Sequence, residues 1–272
     1  MRLFISADIE GVAGITAREQ AGPQGFEYAA ARQLMTNEVL AVVRGARAAG
    51  VRECVVCDAH GNGLSILADQ MPEDVLLVRS WPRPLLMMQG IEQGDYVGAV
   101  LLGYHAGAGC IAGTMAHTLS SRGILGLRLN GQEADEAYVS AATAAAFGVP
   151  LLMMSGDDAF IAASAPVLRP LETVVTKRTC GMFSAMSPAP QVVCEALEAA
   201  AARAVTRQAD ANLLSPGADI AVELTLVSRL AAELLDFLPL FERVGANGVR
   251  FRVADMPALN RILSFLMFYN AV

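Results

Sequence analysis

The chain has 272 residues, of which 54% are hydrophobic and 17% are charged, so it can bury a sizeable core in one large domain or in a main domain with a smaller partner. A formal charge of −7 and a single lysine, Lys177, argue against nucleic-acid binding, which generally requires basic patches. No apolar run reaches the roughly 18 to 20 residues of a membrane span, and the first residues do not read as a signal peptide, so we expect a cytoplasmic protein with no membrane partner.

Strands and helices alternate through the first part of the chain. The predicted elements are a strand at 3–7, a helix at 27–49, strands at 54–57, 75–78, 97–102 and 124–129, a helix at 133–147 and a strand at 150–154. Continuous apolar runs such as 97–102 are typical of buried parallel strands. We therefore predict an α/β fold with a central, mostly parallel sheet flanked by helices, which forms a catalytic, metal-binding domain over residues 1–186.

The pattern changes in the last part of the chain. Predicted helices and strands at 191–208, 220–227 and 249–253, with a further helix between the strands and another at the end, indicate a small α+β domain over residues 187–272. This domain contains no histidine and no convergent acidic motif. We expect it to contribute packing, the shape of a cleft and contacts between subunits.

The five cysteines show no disulfide or zinc-ribbon spacing. Cys54 and Cys57 match the redox pattern C-x-x-C, but they lie in a predicted strand, where residues three apart face opposite sides. We therefore expect structural, buried thiols.

All three histidines, His60, His105 and His117, follow hydrophobic runs that we predict to be strands or their exit loops. Asp8 and Glu10 follow the first strand in the same way. Ligands of open α/β sheets bind outside the carboxyl ends of the strands, and imidazole with carboxylate is a set of ligands that suits zinc. The sequence therefore predicts a metallohydrolase that uses a metal-activated water.

Asp8 and Glu10 are two residues apart, so an extended chain directs both carboxylates to one side. At roughly 5 Å and an effective dielectric constant near 20, two such charges repel by about 3 kcal/mol, and a divalent cation between them removes that cost. Two solvated acids at a strand end are the alternative. Asp58 repeats this spacing with His60, either as a ligand or as a group that orients the imidazole ring.

The roles of two further groups stay open at this point. His117 is either another ligand or an uncoordinated acid–base group. Glu133, Asp135 and Glu136 open a predicted helix, where carboxylates also interact favourably with the helix dipole. A capping role accounts for at least one of these three acids.

An ordered set of short motifs resembles the DppA-type D-aminopeptidases, zinc metallopeptidases once described as dipeptide-transport proteins. The motifs are Ser6-x-Asp8-x-Glu10-Gly11, Asp58-x-His60, Gly103-Tyr104-His105-Ala106, Met115-x-His117 and Ser155-Gly156-Asp157-Asp158. The resemblance covers about the first 190 residues by motif and the rest by length and pattern.

The resemblance implies a zinc site, for which we expect two zinc ions per subunit. Asp8 is the best candidate for a bridging ligand, because it starts the first motif and has Glu10 beside it. The implied metal ligands are Asp8, Glu10, His60, His105 and Glu136. Counting from Asn130 selects Glu136 over Glu133, with Asp135 where the family has glycine. His117 corresponds to the uncoordinated catalytic histidine of the family.

The resemblance also implies an aminopeptidase that releases N-terminal D-amino acids from short peptides, assembled as a homodecamer of two stacked five-fold rings. A mean hydropathy of +0.43 is consistent with large subunit interfaces. The loop Gly61-Asn62-Gly63-Leu64 and residues 16–26 depart from the family pattern, so the resemblance says less about D-specificity than about the metal site.

Two rival functions follow from the same residues. A metallo-amidohydrolase that acts on L-peptides or another small amide would keep the metal site and change the substrate. A non-catalytic dipeptide-binding protein would bind peptides without turnover.

Overall fold

The computed structural model describes residues 1–269. The strands are β1 (Arg2–Ala7), β2 (Glu53–Asp58), β3 (Val75–Val78), β4 (Tyr96–Tyr104), β5 (Ile124–Leu129), β6 (Gln132–Glu133), β7 (Leu151–Asp157), β8 (Glu172–Gly181), β9 (Ser184–Met186), β10 (Ile220–Leu226), β11 (Glu242–Val244) and β12 (Gly248–Val253). The helices are α1 (Arg18–Ala21), α2 (Tyr28–Ala48), α3 (Glu136–Ala146), α4 (Asp158–Leu168), α5 (Pro190–Thr206), α6 (Arg229–Asp236) and α7 (Met256–Phe268).

Seven of the described strands form the main sheet, in the order β3-β2-β1-β4-β7-β8-β9. Every neighbouring pair is parallel except β8 and β9, so the predicted, mostly parallel α/β sheet is confirmed. Consecutive parallel strands require long crossover connections, and helices such as α2 supply them.

Apolar side chains cover both faces of this sheet. In β1, Leu3 and Ile5 pack in a cluster that includes residues of α2 and α5, whereas Phe4 packs in a second cluster with residues of α3 and α7. Alternate residues of a strand point to opposite faces, and both faces of β1 are therefore buried against apolar side chains. This explains why the sequence of the strand is continuously apolar instead of alternating.

The two cysteines of the C-x-x-C pattern illustrate the same alternation. Cys54 belongs to the cluster with α2 and α5, and Cys57 belongs to the other cluster. Both are free and buried, as predicted, and burial raises their thiol pKa values, to about 11 and about 12.

A second sheet is antiparallel, with the strand order β11-β12-β10-β5-β6. Its strand β10 pairs with β12 on one side and with β5 on the other. The sheet therefore combines strands from both sides of the predicted boundary between residues 1–186 and 187–272. That division stays a prediction, although β5 and β6 place part of the first segment in the small sheet.

The structure contains elements that the sequence did not predict, namely α1, β6, α4, β8, β9 and β11, and it moves the start of α3. Helix α4 was not predicted, because Pro166 lies within it and Pro170 follows it, and proline usually marks a break. Helix α3 begins at Glu136 rather than at residue 133, since the carboxylate of Asp135 accepts a hydrogen bond from the Tyr138 amide (2.8 Å) and caps the helix.

Within residues 1–269, none of the helices is long and apolar enough to cross a membrane.

Candidate metal centre

The side chains selected from the sequence converge at the carboxyl ends of three adjacent strands. Asp8 follows β1, His60 lies two residues beyond β2, and His105 follows β4. Since β1 lies between β2 and β4 in the sheet, these exits meet at one edge. Glu136, the first residue of α3, approaches the same place.

Gly11 allows two of these exits to lie side by side. Its amide donates a hydrogen bond to the Gly103 carbonyl (2.7 Å), and a Cβ atom at this position would lie 1.9 Å from the Tyr104 carbonyl oxygen. A glycine is therefore required where the loop after β1 crosses the end of β4.

The first group of potential ligands consists of Asp8, Glu10 and His60, all buried. His60 Nδ1 lies 3.2 Å from Asp8 Oδ1 and 2.9 Å from Glu10 Oε2. The potential ligand atoms of this group all lie within 4.8 Å of one another, a separation that a single cation can span.

The second group consists of His105, His117 and Glu136, with the same 4.8 Å limit on the separation of their ligand atoms. Glu136 Oε1 lies 3.3 Å from His105 Nε2 and 3.7 Å from His117 Nε2. The imidazole rings of His105 and His117 stack, with centroids 4.1 Å apart.

Asp8 connects the two groups. Its Oδ1 faces His60, whereas its Oδ2 lies 3.4 Å from His105 Nε2. A carboxylate that presents one oxygen to each of two ligand groups has the arrangement expected of a bridge between two metal ions.

Backbone carbonyls fix the tautomers of the histidines. A carbonyl oxygen only accepts hydrogen bonds, so the ring nitrogen beside it carries the proton. His60 Nε2 donates to Ala21 (2.5 Å), and His105 Nδ1 donates to Ala106 (3.0 Å). His117 Nδ1 donates to Met115 in the same way (3.0 Å). In the neutral form of each ring, the other nitrogen carries a lone pair that faces the carboxylates, as a metal ligand requires.

Two buried polar atoms at the centre of this arrangement lack hydrogen-bond partners in the described part of the chain. They are Glu10 Oε2 and His105 Nε2. Although His60 Nδ1 approaches Glu10 Oε2 closely, the contact does not meet hydrogen-bond geometry. Buried unpaired acceptors are costly unless a cation or an ordered water satisfies them, so the residues fit a metal ion.

With no cation bound, the carboxylates and histidines of the two ligand groups strongly shift one another's pKa values. Burial, and then the charge of Glu10, raise the pKa of Asp8 to about 7. Burial would lower the pKa values of His60 and His105, but Glu10 and Glu136 respectively outweigh it and hold both pKa values well above the usual value. Burial would likewise raise the pKa of Glu136, but His105 outweighs it and lowers that pKa.

The structure distinguishes between the acidic residues whose roles the sequence left open, Glu133, Glu136 and Asp58. The Glu133 side chain is 61% exposed and pairs with Arg128, whereas the Glu136 side chain is 8% exposed and faces His105. Asp58 is in neither ligand group, and its Oδ2 accepts a hydrogen bond from the Ile66 amide (2.7 Å). The geometry thus supports the choice of Glu136, and the ring of His60 is oriented by Ala21 instead of Asp58.

Two open cavities adjoin the ligand groups. One, of about 200 Å³, is lined by Asp8, Glu10, His60, His117 and Glu136 together with apolar side chains that include Trp81, Met87 and Met267. The other, of about 380 Å³, shares Glu10, His60 and His117 and extends towards Met182 and Phe183. Together they form a cleft through which a small molecule can reach the buried carboxylates.

Two basic residues near the site, Arg122 and Lys177, were given no role there from the sequence. Arg122 lines both cavities and is exposed, with no ion-pair partner among residues 1–269. Lys177 is fully buried behind the loop that carries Glu10. The isolation of Lys177 as the chain's sole lysine was a signal that could have identified it, whereas nothing in the sequence marks Arg122.

The fold and these side chains define a metal-dependent hydrolase with its site at the carboxyl edge of a parallel sheet. The family of D-aminopeptidases, peptidase family M55, matches residues 1–265. The chain belongs to this family, and the predicted metallo-aminopeptidase class is confirmed at that level.

Individual relatives agree with this assignment. A D-aminopeptidase from Bacillus subtilis (strain 168) is 25% identical over 260 residues, which cover 94% of this chain and 93% of that protein. The solved structure of the Zn-dependent D-aminopeptidase DppA from Bacillus subtilis, a self-compartmentalizing protease, matches with a TM-score of 0.92 at 23% identity and covers 100% of both chains. The structural match shows that the two proteins share a fold.

The pKa directions predict how pH changes stability. His60 and His105 have raised pKa values, so in the metal-free protein their stabilising contribution is complete below pH 6.5 and is lost as the pH rises through their folded-state values. The pKa of Asp8, which is raised from 3.8 to about 7, changes stability in the same direction.

Metal binding instead requires deprotonated ligands and strengthens as pH rises. Between about pH 6 and pH 8.5 we expect the Tm increase caused by added zinc to grow. Calorimetry with and without zinc measures it, and an increase that shrank or stayed constant over this range would contradict the assignment.

The two glutamates provide a matched pair of variants. E136Q removes a carboxylate that faces His105 and should weaken zinc binding about 10-fold or more, since the protein loses a charged ligand. E133Q changes an exposed residue that pairs only with Arg128 and should leave zinc affinity unchanged. Competition with a chelating zinc indicator measures both affinities. The reverse ranking of the two variants would identify Glu133 as the ligand.

Proposed function

We propose that this chain is a zinc-dependent aminopeptidase that removes N-terminal D-amino acids from short peptides, with two zinc ions in each subunit. The observation that carries the proposal is the pair of buried ligand groups joined by Asp8 beneath an open cleft. Family membership and the Zn-dependent relative support the same reading.

The proposed ligand assignment follows the two groups. Glu10 and His60 would hold one ion, His105 and Glu136 the other, and Asp8 would contribute to both. Zinc bound there would polarise the scissile carbonyl and lower the pKa of water towards about 7. A carboxylate of the cluster then has to accept the proton that the attacking water loses.

His117 is the proposed acid–base or oxyanion-stabilising group. Its side chain is 21% exposed, more than those of the other two histidines, and it lines both cavities. Because Nδ1 is bound to the Met115 carbonyl, Nε2 is the atom that can reach a substrate. In the neutral ring Nε2 carries a lone pair, so it is the protonated imidazolium that can donate a hydrogen bond to a developing oxyanion or a proton to the leaving amine.

The cleft suits a short peptide with both termini free. The carboxylates of Asp8, Glu10 and Glu136 favour the positively charged amino terminus, and the exposed guanidinium of Arg122 lies at the wall common to both cavities. A guanidinium binds a carboxylate well because it can donate two parallel hydrogen bonds. Arg122 is therefore our candidate for binding the carboxyl terminus of a short substrate.

We also propose a homodecamer of two five-fold rings in the cytoplasm. In support, the relative of known structure is a self-compartmentalizing protease. The chain itself exposes several large apolar side chains along α6 and after it, including Leu230, Leu234 and Phe237. Exposed apolar patches of this kind commonly lie in protein interfaces.

Turnover of matched peptides tests the function. The substrates are dipeptides that differ only in the configuration of the N-terminal residue, together with N-acetylated forms that lack the free amine. We expect the D-form to be cleaved about tenfold faster or more, with no cleavage of acetylated peptides. Chelation should abolish the activity and zinc should restore it, with close to two zinc ions per chain by elemental analysis. Faster cleavage of the L-form would favour the L-specific rival, and tight binding without product would favour a binding protein.

Replacement of His117 separates catalysis from metal binding. In H117A we expect kcat to fall by roughly 100-fold to 10,000-fold, the usual contribution of a general acid or base, with an unchanged zinc content. S121A, which alters another side chain lining both cavities, serves as the control and should retain most activity. If H117A instead loses zinc, His117 is a ligand.

A further inference from the structure

Two buried charged residues lie side by side behind the metal centre without belonging to it. Asp157 ends β7 and Lys177 lies in β8, and the two are paired in the register of these strands. Both are fully buried, which is unusual for ionised side chains unless their charges are well compensated. Their contacts show what each charge does.

Lys177 binds the backbone of the loop that follows β1. Its Nζ donates hydrogen bonds to the carbonyl oxygens of Glu10, Val12 (3.0 Å) and Ile15 (2.5 Å). An ammonium group has three donors, and all three are used on this one loop. The neighbouring Thr176 hydroxyl donates to the Gly11 carbonyl (2.5 Å). Four carbonyl groups of a loop without helix or strand are thus held by two adjacent residues of β8.

Asp157 binds a different loop, the one that carries His117. Its Oδ2 accepts a hydrogen bond from the Thr114 amide (2.8 Å), three residues before His117, while its Oδ1 accepts one from the Phe160 amide (2.7 Å) and caps α4. The loop passes through a left-handed conformation at Met115 (φ 51°), which a side chain adopts only where surrounding contacts impose it.

We propose that Asp157 and Lys177 are positioning residues for the metal centre: Lys177 sets the place of Glu10 in the first ligand group, and Asp157 sets the place of His117 at the second. Neither residue touches the ligand atoms. Each acts by fixing the backbone of a loop that lies outside the helices and strands, and the two act on separate loops. This division predicts separate effects, on metal affinity for Lys177 and on turnover for Asp157.

The alternative is that both residues contribute only to stability. Loss of the Lys177 ammonium removes the hydrogen-bond donor of the Glu10 and Ile15 carbonyls, whereas the Val12 carbonyl keeps the Ile15 amide (3.2 Å), and the loss is costly for folding in either case. Stability alone therefore does not distinguish the two interpretations. The distinguishing quantities are zinc affinity, ligand geometry and kcat, each measured on folded protein.

The variant K177M tests the first half of the proposal, because methionine keeps an unbranched side chain of similar length without charge. We expect zinc affinity to fall about 10-fold to 100-fold, as for other groups that support metal ligands. The visible absorption of the cobalt-substituted protein should also change, since it reports ligand geometry. The control is R47M, which removes a cation that pairs with Asp74 away from the site (2.8 Å) and should leave zinc affinity and the cobalt spectrum unchanged.

The variant D157N tests the second half. Asparagine caps helices as well as aspartate does, so α4 keeps its cap while the charged acceptor for the Thr114 amide is lost. We expect kcat to fall roughly 10-fold to 100-fold, because a small displacement of a reacting group has effects of this size. Zinc content and KM should change little. The control D255N alters the cap of α7, which accepts from Ala258 in the same way (2.8 Å) but binds no site loop.

The proposal is overturned if folded K177M retains the wild-type zinc affinity and cobalt spectrum, or if folded D157N retains the wild-type kcat. If K177M does not fold, T176V removes a single hydrogen bond to the same loop and replaces it in the test. D157S likewise replaces D157N, since serine caps α4 but is too short to reach Thr114.

The kinetic part of the proposal rests on the proposed aminopeptidase function. Zinc affinity and the cobalt spectrum require no turnover, so a failure of the proposed function would be seen separately, as an inactive wild-type protein.

Discussion

The organisation of this protein depends on keeping several carboxylates buried close together. The side chains of Asp8, Glu10 and Glu136 are each 8% exposed or less, and their oxygens lie within a few ångströms of the same imidazole nitrogens. Such a cluster is stable only when positive charge lies among the oxygens, either as protons on the histidines or as metal ions. The tautomers fixed by backbone carbonyls present lone pairs to the same space, and so they favour metal ions. The need for a cation is thus a property of the folded chain before any substrate is considered.

A parallel sheet is well suited to this requirement. The neighbouring strands β2, β1 and β4 end at one edge, and each exit places a candidate ligand in a rigid position. Both faces of the sheet are covered by apolar clusters, so the strands run through an apolar interior and their exits hold the carboxylates buried beneath the cleft. Low local polarity strengthens the attraction between the carboxylates and a cation. The loops beyond the strands have no such regular support, and side chains from β7 and β8 provide it.

The predictable part of the site consists of residues whose position in the sequence reveals their place in space. Asp8, His60 and His105 follow apolar strands, and parallel strands bring such positions together, so periodicity and residue type were sufficient to select them. Asp157 was noticed only within a motif, and Lys177 only as an isolated lysine. Their partners are backbone groups that lie 43 and up to 167 residues away, and backbone groups carry no signature of residue type. The second sheet was hidden for a related reason, since β10 pairs with β5 across almost a hundred residues of sequence.

The metal centre and the walls of the cleft have different structural origins, and this bears on specificity. The candidate ligands belong to strand exits and to the start of α3, which are elements of the fold that this chain shares with the relative of known structure at 23% identity. The walls come from elsewhere: Trp81 from a loop, Met267 from α7, and Gly61 and Arg122 from loops that lie beside both ligand groups. Loops change more readily than the strands that they connect. The chemistry of the family can therefore persist while residues of the walls change, and we expect the choice of peptide, including the configuration of its first residue, to depend on those walls.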